Sequence, residues 1–170
     1  MSIHIRLINE ADLSAIVAIQ DSCYTDALFE DACLISRRLA SQPQSCWLAE
    51  NDTGEVLAYL FSYPSRNRQV AALGSDFCRY ADADVLYLHD MAVSHNARGM
   101  RLALQLLAHA EQYAADLGFK TLALVAVQGS VPYWQKQGFD VLTLTEVGAL
   151  QALASYTGQN AVYMQKPLPL

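Results

Sequence analysis

This chain predicts a mixed α/β domain with elements in the order βααβββαβαββ, and three observations carry that prediction. Residues 85–93 form an apolar strand that breaks into a short polar turn at 94–97 and feeds a long amphipathic helix. Residues 45–50 and 55–63 read as two strands joined by the hairpin turn Asn51-Asp52-Thr53-Gly54. Residues 121–127 are continuously apolar and rich in β-formers, the pattern of a strand covered on both faces.

The remaining elements follow in order. Ile3, Ile5 and Leu7 alternate with His4 and Arg6, a half-buried strand. Asn9 or Asp12 caps the next helix, where Leu13, Ile16, Val17 and Ile19 keep helical spacing. A second helical stretch covers residues 30–40 and ends at Ser41-Gln42-Pro43, and Pro64 is expected to stop the strand of residues 55–63. Residues 65–82 show no period and read as a loop, of a length that is commonly functional and next to the key strand. In the long helix Leu102, Leu106, Ala110, Tyr113 and Leu117 share one face, and Gly118 is its stop. Residues 130–137 form a short helix closed by Gly138. Strands at 139–145 and 161–165 complete the chain. No repeat, linker or boundary divides it, so residues 1–170 read as one domain.

Composition narrows the function classes. With 53% apolar and 16% charged residues, the chain has no room for a disordered tract of any size. A net charge of −6 argues against nucleic acid as a partner and leaves a cationic amine acceptable. Cys23, Cys33, Cys46 and Cys78 show no C-x-x-C pair and no metal-finger spacing, so no metal is expected and the thiols read as reduced. The N-terminus has no signal core, and no apolar run approaches the ~18 residues of a membrane span. A cytoplasmic protein with no membrane partner is expected. The apolar excess and the C-terminal strand would suit a homodimer.

The strand–turn–helix at 85–117 is the chemically informative feature. It aims several backbone N–H groups and the positive end of a helix dipole at one point, which is how proteins hold a pyrophosphate. Backbone amides from Arg98 through Gly99, Met100, Arg101 and Leu102 to Ala103 form such a cradle, with charge from Arg98 or Arg101. The alternative is an ordinary β–α connection in which the glycine only eases the turn. On the strand itself, regular alternation puts Tyr87, His89, Met91 and Val93 on one face and Leu88, Asp90 and Ala92 on the other.

The turn Arg98-Gly99-Met100-Arg101-Leu102-Ala103 resembles the acyl-CoA-binding motif of the GNAT superfamily of N-acetyltransferases, Arg/Gln-x-x-Gly-x-Gly/Ala. Arg98 and Ala103 match its ends, and Arg101 stands where the family usually has glycine. The stretch Tyr133-Trp134-Gln135-Lys136-Gln137-Gly138-Phe139 is similar to the second signature, an aromatic pair followed by x-x-x-Gly-Phe. The resemblance implies the GNAT fold, a mixed and mostly antiparallel sheet of about seven strands flanked by helices. It also implies acetyl-CoA as co-substrate and direct transfer of the acetyl group to a primary amine. Met91, Ala92 and Val93 would then lie along the pantetheine, a main-chain N–H near Met91 or Ala92 would polarise the carbonyl, and Trp134 would lie beside the cofactor.

Catalytic candidates follow from the same resemblance. Arylalkylamine acetyltransferases of this superfamily carry two histidines near the acceptor, and by register those positions are Tyr87 and His89 here. His89 is thus the candidate base, set against a purely structural histidine, and Asp90 takes the role if the faces are reversed. The family's usual proton donor is a tyrosine at the position of Trp134, whose indole has no useful acidity, so Tyr133 or water returns the proton. The expected acceptor is a small-molecule amine. The alternatives are a protein or peptide acceptor and a non-catalytic acyl-CoA binder on the same fold.

Overall fold

The computed structural model describes residues 2–24 and 28–169. Its sheet has seven strands in the order β1-β2-β3-β4-β5-β7-β6. They are β1 (His4–Leu7), β2 (Cys46–Glu50), β3 (Val56–Ser65), β4 (Val85–Val93), β5 (Thr121–Ala126), β6 (Asp140–Val141) and β7 (Val162–Pro167). Every pairing is antiparallel except β4 with β5. Helices α1 (Leu13–Cys23), α2 (Ala32–Ser41) and α5 (Val147–Ala154) pack on one face; α3 (Leu102–Asp116) and α4 (Val131–Lys136) pack on the other. This is the mixed α/β architecture expected, with the hairpin, meander and buried central strands in place.

Three local expectations are corrected. Pro64 does not end its strand: it lies inside β3, opposite Leu86. The pairing of β2 stops at Cys46 with Phe61, so beyond that point one edge of β3 has no strand partner and the missing N–H costs no ladder bond. The strand expected at 139–145 contracts to Asp140–Val141, after which Leu142 still bonds Tyr163 and Leu144 turns into the core. The structure also adds α5, absent from the sequence-derived order. Its sequence VGALQALA is almost uniformly apolar, so it shows no polar face by which a helical period is recognised.

The fourth correction bears on the site. Alternation along β4 is not regular, because Phe61 faces Asp90 while the next residue, Ser62, faces Leu88. His89 is the extra residue of a β-bulge. A bulge reverses the side-chain parity beyond it and bends the strand. Tyr87 and Ala92 consequently pack into the same core layer, whereas Leu88, Met91 and Val93 contact the opposite one. The expected grouping of Tyr87, His89, Met91 and Val93 on one face therefore fails.

Candidate active site

The bulge also opens the site. Strands β4 and β5 pair only from Val85–Leu88 with Thr121–Leu124, and part where the bulge begins. The gap is a cleft of about 370 Å³, walled by His89, Asp90, Met91, Ala92 and Val93 on one side and by Val125, Val127, Tyr133 and Trp134 on the other. An extended residue directs its N–H and C=O to the same strand edge. The carbonyls of Met91 and Val93 accept bonds from Tyr24 Oη at 2.9 Å and Cys23 Sγ at 3.3 Å, so these two residues present their main chain to the gap. By the same alternation Ala92 turns its main chain to β3, as Ser94 two residues on does by donating its N–H to the Leu57 carbonyl at 2.7 Å.

One end of the cleft is the turn into α3. Ser94 caps the 3-10 turn His95–Ala97, Gly99 and Arg101 take left-handed backbone (φ 87° and 58°), and α3 starts with no side-chain cap. The first N–H groups of α3 therefore have no partner inside the helix. Left-handed backbone costs a non-glycine residue about 1 kcal/mol, so Arg101 holds by strain the conformation that glycine would adopt freely. Arg98 lines the cleft, with its guanidinium 3.8 Å from Cys23 Sγ. His95 donates to the Ser22 carbonyl at 2.8 Å, which ties this turn to α1.

The other end holds a buried charge cluster that the sequence analysis did not single out. Glu30, which the sequence reading used only to start a helix, accepts Arg38 Nη1 at 2.6 Å and Nη2 at 2.7 Å. It also accepts His89 Nε2 at 3.1 Å and the Gly74 N–H at 2.8 Å. Gln20 braces it from α1 by bonding its main chain on both sides. Burial pushes the Glu30 carboxyl up, but the bonds from His89 and Arg38 outweigh that and hold it well below the usual range. Glu30 is thus a carboxylate that can only accept, so His89 carries a proton on Nε2, and in the neutral imidazole Nδ1 is an acceptor. That Nδ1 is buried and has no partner among the described residues.

Asp90 is the second unusual group. Its Oδ2 accepts Tyr59 Oη at 2.9 Å, while its Oδ1 is buried without a partner. Burial pushes this carboxyl up, with His89 and the hydroxyls of Tyr24 and Tyr59 acting in the opposite direction. No local pattern pointed to Glu30, Arg38 or Tyr59, because the partners lie 8 to 59 residues apart. The signal available was chemical: a charged pair, Glu30 and Arg38, on either side of a short run of helix formers.

A model of the acetyltransferase (GNAT) family matches residues 9–139, a span holding the cleft, the turn and both aromatic residues. The chain belongs to the GNAT acetyltransferase family. Acetyl-CoA-dependent acyl transfer is the family activity, with acetyl-CoA as co-substrate. Among proteins of curated function, none matches the chain significantly in sequence. Solved structures do. Ard1 from Thermoplasma volcanium is 14% identical over all of both chains, with a TM-score of 0.74. A GNAT-like decarboxylase, GphF, in complex with isobutyryl-CoA is 17% identical, covering 98% of this chain and 100% of its own, with a TM-score of 0.73. A chain of the NatC complex bound to Gag peptide and CoA is 14% identical over 99% and 100%, with a TM-score of 0.72. At such identities the likeness is one of fold.

The residues of this GNAT chain fit the co-substrate. The uncapped start of α3 and the guanidinium of Arg98 suit a pyrophosphate, and the gap-facing main chain of Met91 and Val93 offers the paired donors and acceptors an amide-bearing arm needs. Of the residues expected at the cofactor, Met91, Ala92, Val93, Arg98, Ala103 and Trp134 line the cleft together. Leu102 packs into the core, and Gly99, Met100 and Arg101 shape the turn outside the lining. His89, Asp90 and Tyr133 of the catalytic set also line it. Among the described residues no helix is long and apolar enough to cross a membrane, and no group of three or more His, Cys, Asp or Glu is placed to hold a metal.

Proposed function

We propose that this GNAT protein acetylates the primary amine of a small molecule by direct attack on acetyl-CoA. His89 is the general base, and Glu30 is the positioning residue behind it. The buried Glu30–His89 pair carries the reading: the carboxylate fixes the imidazole tautomer and turns an unpartnered Nδ1 toward the proton it must remove. Bound acetyl-CoA supplies an activated thioester. The gap-facing N–H of Met91 is the donor aimed at its carbonyl, rather than that of Ala92, whose main chain by alternation faces β3. Tyr133 returns the proton to the leaving sulfur. Tyr133 lines the cleft and burial pushes its pKa up, so it stays protonated at neutral pH.

The closed acceptor end supports a small acceptor over a peptide. Residues 66–84 fold down on the cluster, where the Gly74 N–H meets Glu30, the Ser75 carbonyl meets Arg38, and the Leu73 N–H meets Ser155. Tyr156 Oη bonds the Ala71 carbonyl at 2.7 Å and closes the far side. Exposed apolar Val141, Val147 and Leu150 support the homodimer within the same proposal.

The test is thiol release from acetyl-CoA against a panel of primary amines. His89→Ala should bind acetyl-CoA normally and lose turnover by about 10²-fold or more, most clearly below about pH 8. Unchanged turnover across pH would remove His89 from the mechanism. Saturable acetyl-CoA binding with no thiol release for any amine would favour the non-catalytic acyl-CoA binder, a reading that Trp134 in place of the family's tyrosine keeps open.

A further inference from the structure

The described structure leaves three buried side-chain polar atoms without partners: Ser65 Oγ, His89 Nδ1 and Asp90 Oδ1. Two of them belong to consecutive residues at the β4 bulge, and both residues line the cleft and a smaller cavity of about 40 Å³ beneath it. Both orphans are acceptors, one an imidazole lone pair and the other a carboxylate oxygen. A buried acceptor left unpaired destabilises the fold, so two on consecutive residues of one cavity wall mark a place where something donates. The rest of the described cavity wall does not supply it. Glu30 has both oxygens engaged, and the Tyr24 and Tyr156 hydroxyls donate to the carbonyls of Met91 and Ala71. The remaining wall is Leu28, Leu73, Val125 and Val127.

We infer that Asp90 Oδ1 and His89 Nδ1 form a binding site for the ammonium group of the acceptor, and that this site rejects acceptors carrying a carboxylate beside the amine. An alkylammonium has three N–H donors and one positive charge, which satisfies both orphans and pairs with Asp90 at once. Its apolar stem meets the leucines and valines. This rests on the acetyltransferase reading above and gives Asp90 a different part from the base: Asp90 anchors the charged amine and His89 takes the proton.

The same charges set the discrimination. A carboxylate on the amine-bearing carbon would have to enter beside Asp90 and Glu30, with no free cation among the described lining residues of the smaller cavity to receive it. Arg38 is not free, since its Nη atoms bond Glu30, and Nε and Nη2 both reach the Ser75 carbonyl. Arg98 lies by Cys23 and is assigned above to the pyrophosphate. A buried unpaired carboxylate is costly, and like charges in contact add to that cost.

The experiment is calorimetric binding of three matched pairs to the protein saturated with CoA, which carries no acetyl group to transfer. The pairs are tyramine and tyrosine, histamine and histidine, and agmatine and arginine. At least one decarboxylated amine should bind at least tenfold more tightly than its amino acid. The isosteric Asp90→Asn variant should weaken that amine by tenfold or more while retaining CoA affinity, which also reports that it is folded. An amino acid binding as tightly as its amine overturns the inference, as does an Asp90→Asn variant that binds the amine unchanged; so does no binding by any amine. The wild-type pairs decide the matter if the variant does not fold. Repeating the series with acetyl-CoA separates the two readings. Selective binding without thiol release keeps the ammonium site and refutes the transferase, whereas thiol release without selectivity does the reverse.

Discussion

Replacing Glu30 by glutamine removes a charge that four donors point at. Arg38 Nη1 and Nη2 lie 2.6 and 2.7 Å away, the Gly74 N–H 2.8 Å and His89 Nε2 3.1 Å. The side chains of Glu30 and Arg38 are 4% and 2% exposed, so water cannot replace what is lost. A glutamine keeps one acceptor oxygen and turns an NH₂ toward groups that only donate. Breaking one side of a buried pair in this way costs roughly 3–5 kcal/mol. At roughly 2–4 °C per kcal/mol for a chain of this size, the melting temperature falls by about 10 °C. The loss depends on pH with a definite sign. The Glu30 pKa is lowered in the folded state, so its stabilisation is present above the unfolded value near 4.5 and fades as pH falls through the folded one. The difference between wild type and Glu30→Gln in denaturant titrations should therefore narrow steadily as pH is lowered past about 4.5, and close only once pH passes the folded value. Acetyl-CoA affinity should persist in the folded variant while kcat drops, because the cluster acts on His89 and lies at the far end of the cleft from Arg98. A difference below about 1 kcal/mol at pH 7 would refute the buried-pair reasoning.

Other outcomes follow from single contacts. Arg101→Gly should raise stability by up to about 1 kcal/mol by relieving left-handed strain, whereas Arg101→Ala should not; a glycine variant that melts lower would refute the strain. Acetyl-CoA should quench tryptophan emission through Trp134 on the cleft wall, since Trp47 is buried against His109 and Tyr113 on α3. Trp134→Phe should abolish that quench, and its persistence would place the binding elsewhere. Tyr133→Phe should lower kcat by about 10²-fold or more with acetyl-CoA affinity unchanged, and a full-speed variant would assign proton return to water.

Much of the fold was legible because its signals are local. The turn at Asn51–Gly54, the apolar run of β5 and the stripe from Leu102 to Tyr113 each follow from residues within one element's length. The turn from Arg98 to Ala103 and the aromatic pair at Tyr133 and Trp134 were legible for the same reason, each being contiguous. The bulge at His89 was not. It depends on how the residues Ala58–Ser65 of β3 lie against the longer stretch Val85–Val93 of β4, and nothing in Leu88-His89-Asp90 announces it.

That bulge marks the division between sequence and tertiary structure in this protein. The sequence by itself determined the order of strands and helices apart from α5, and pointed to the segment proposed to face the co-substrate, because hydrophobic period and turn chemistry act over a few residues. Only the tertiary structure decided that His89 and Asp90 meet at one cavity, that β4 parts from β5 beside them, and that Glu30 and Arg38 stand behind the imidazole. Those depend on strand register and on charge pairing across distant segments, where the low-dielectric interior makes a correct partner decisive and where no local pattern records which residues will meet.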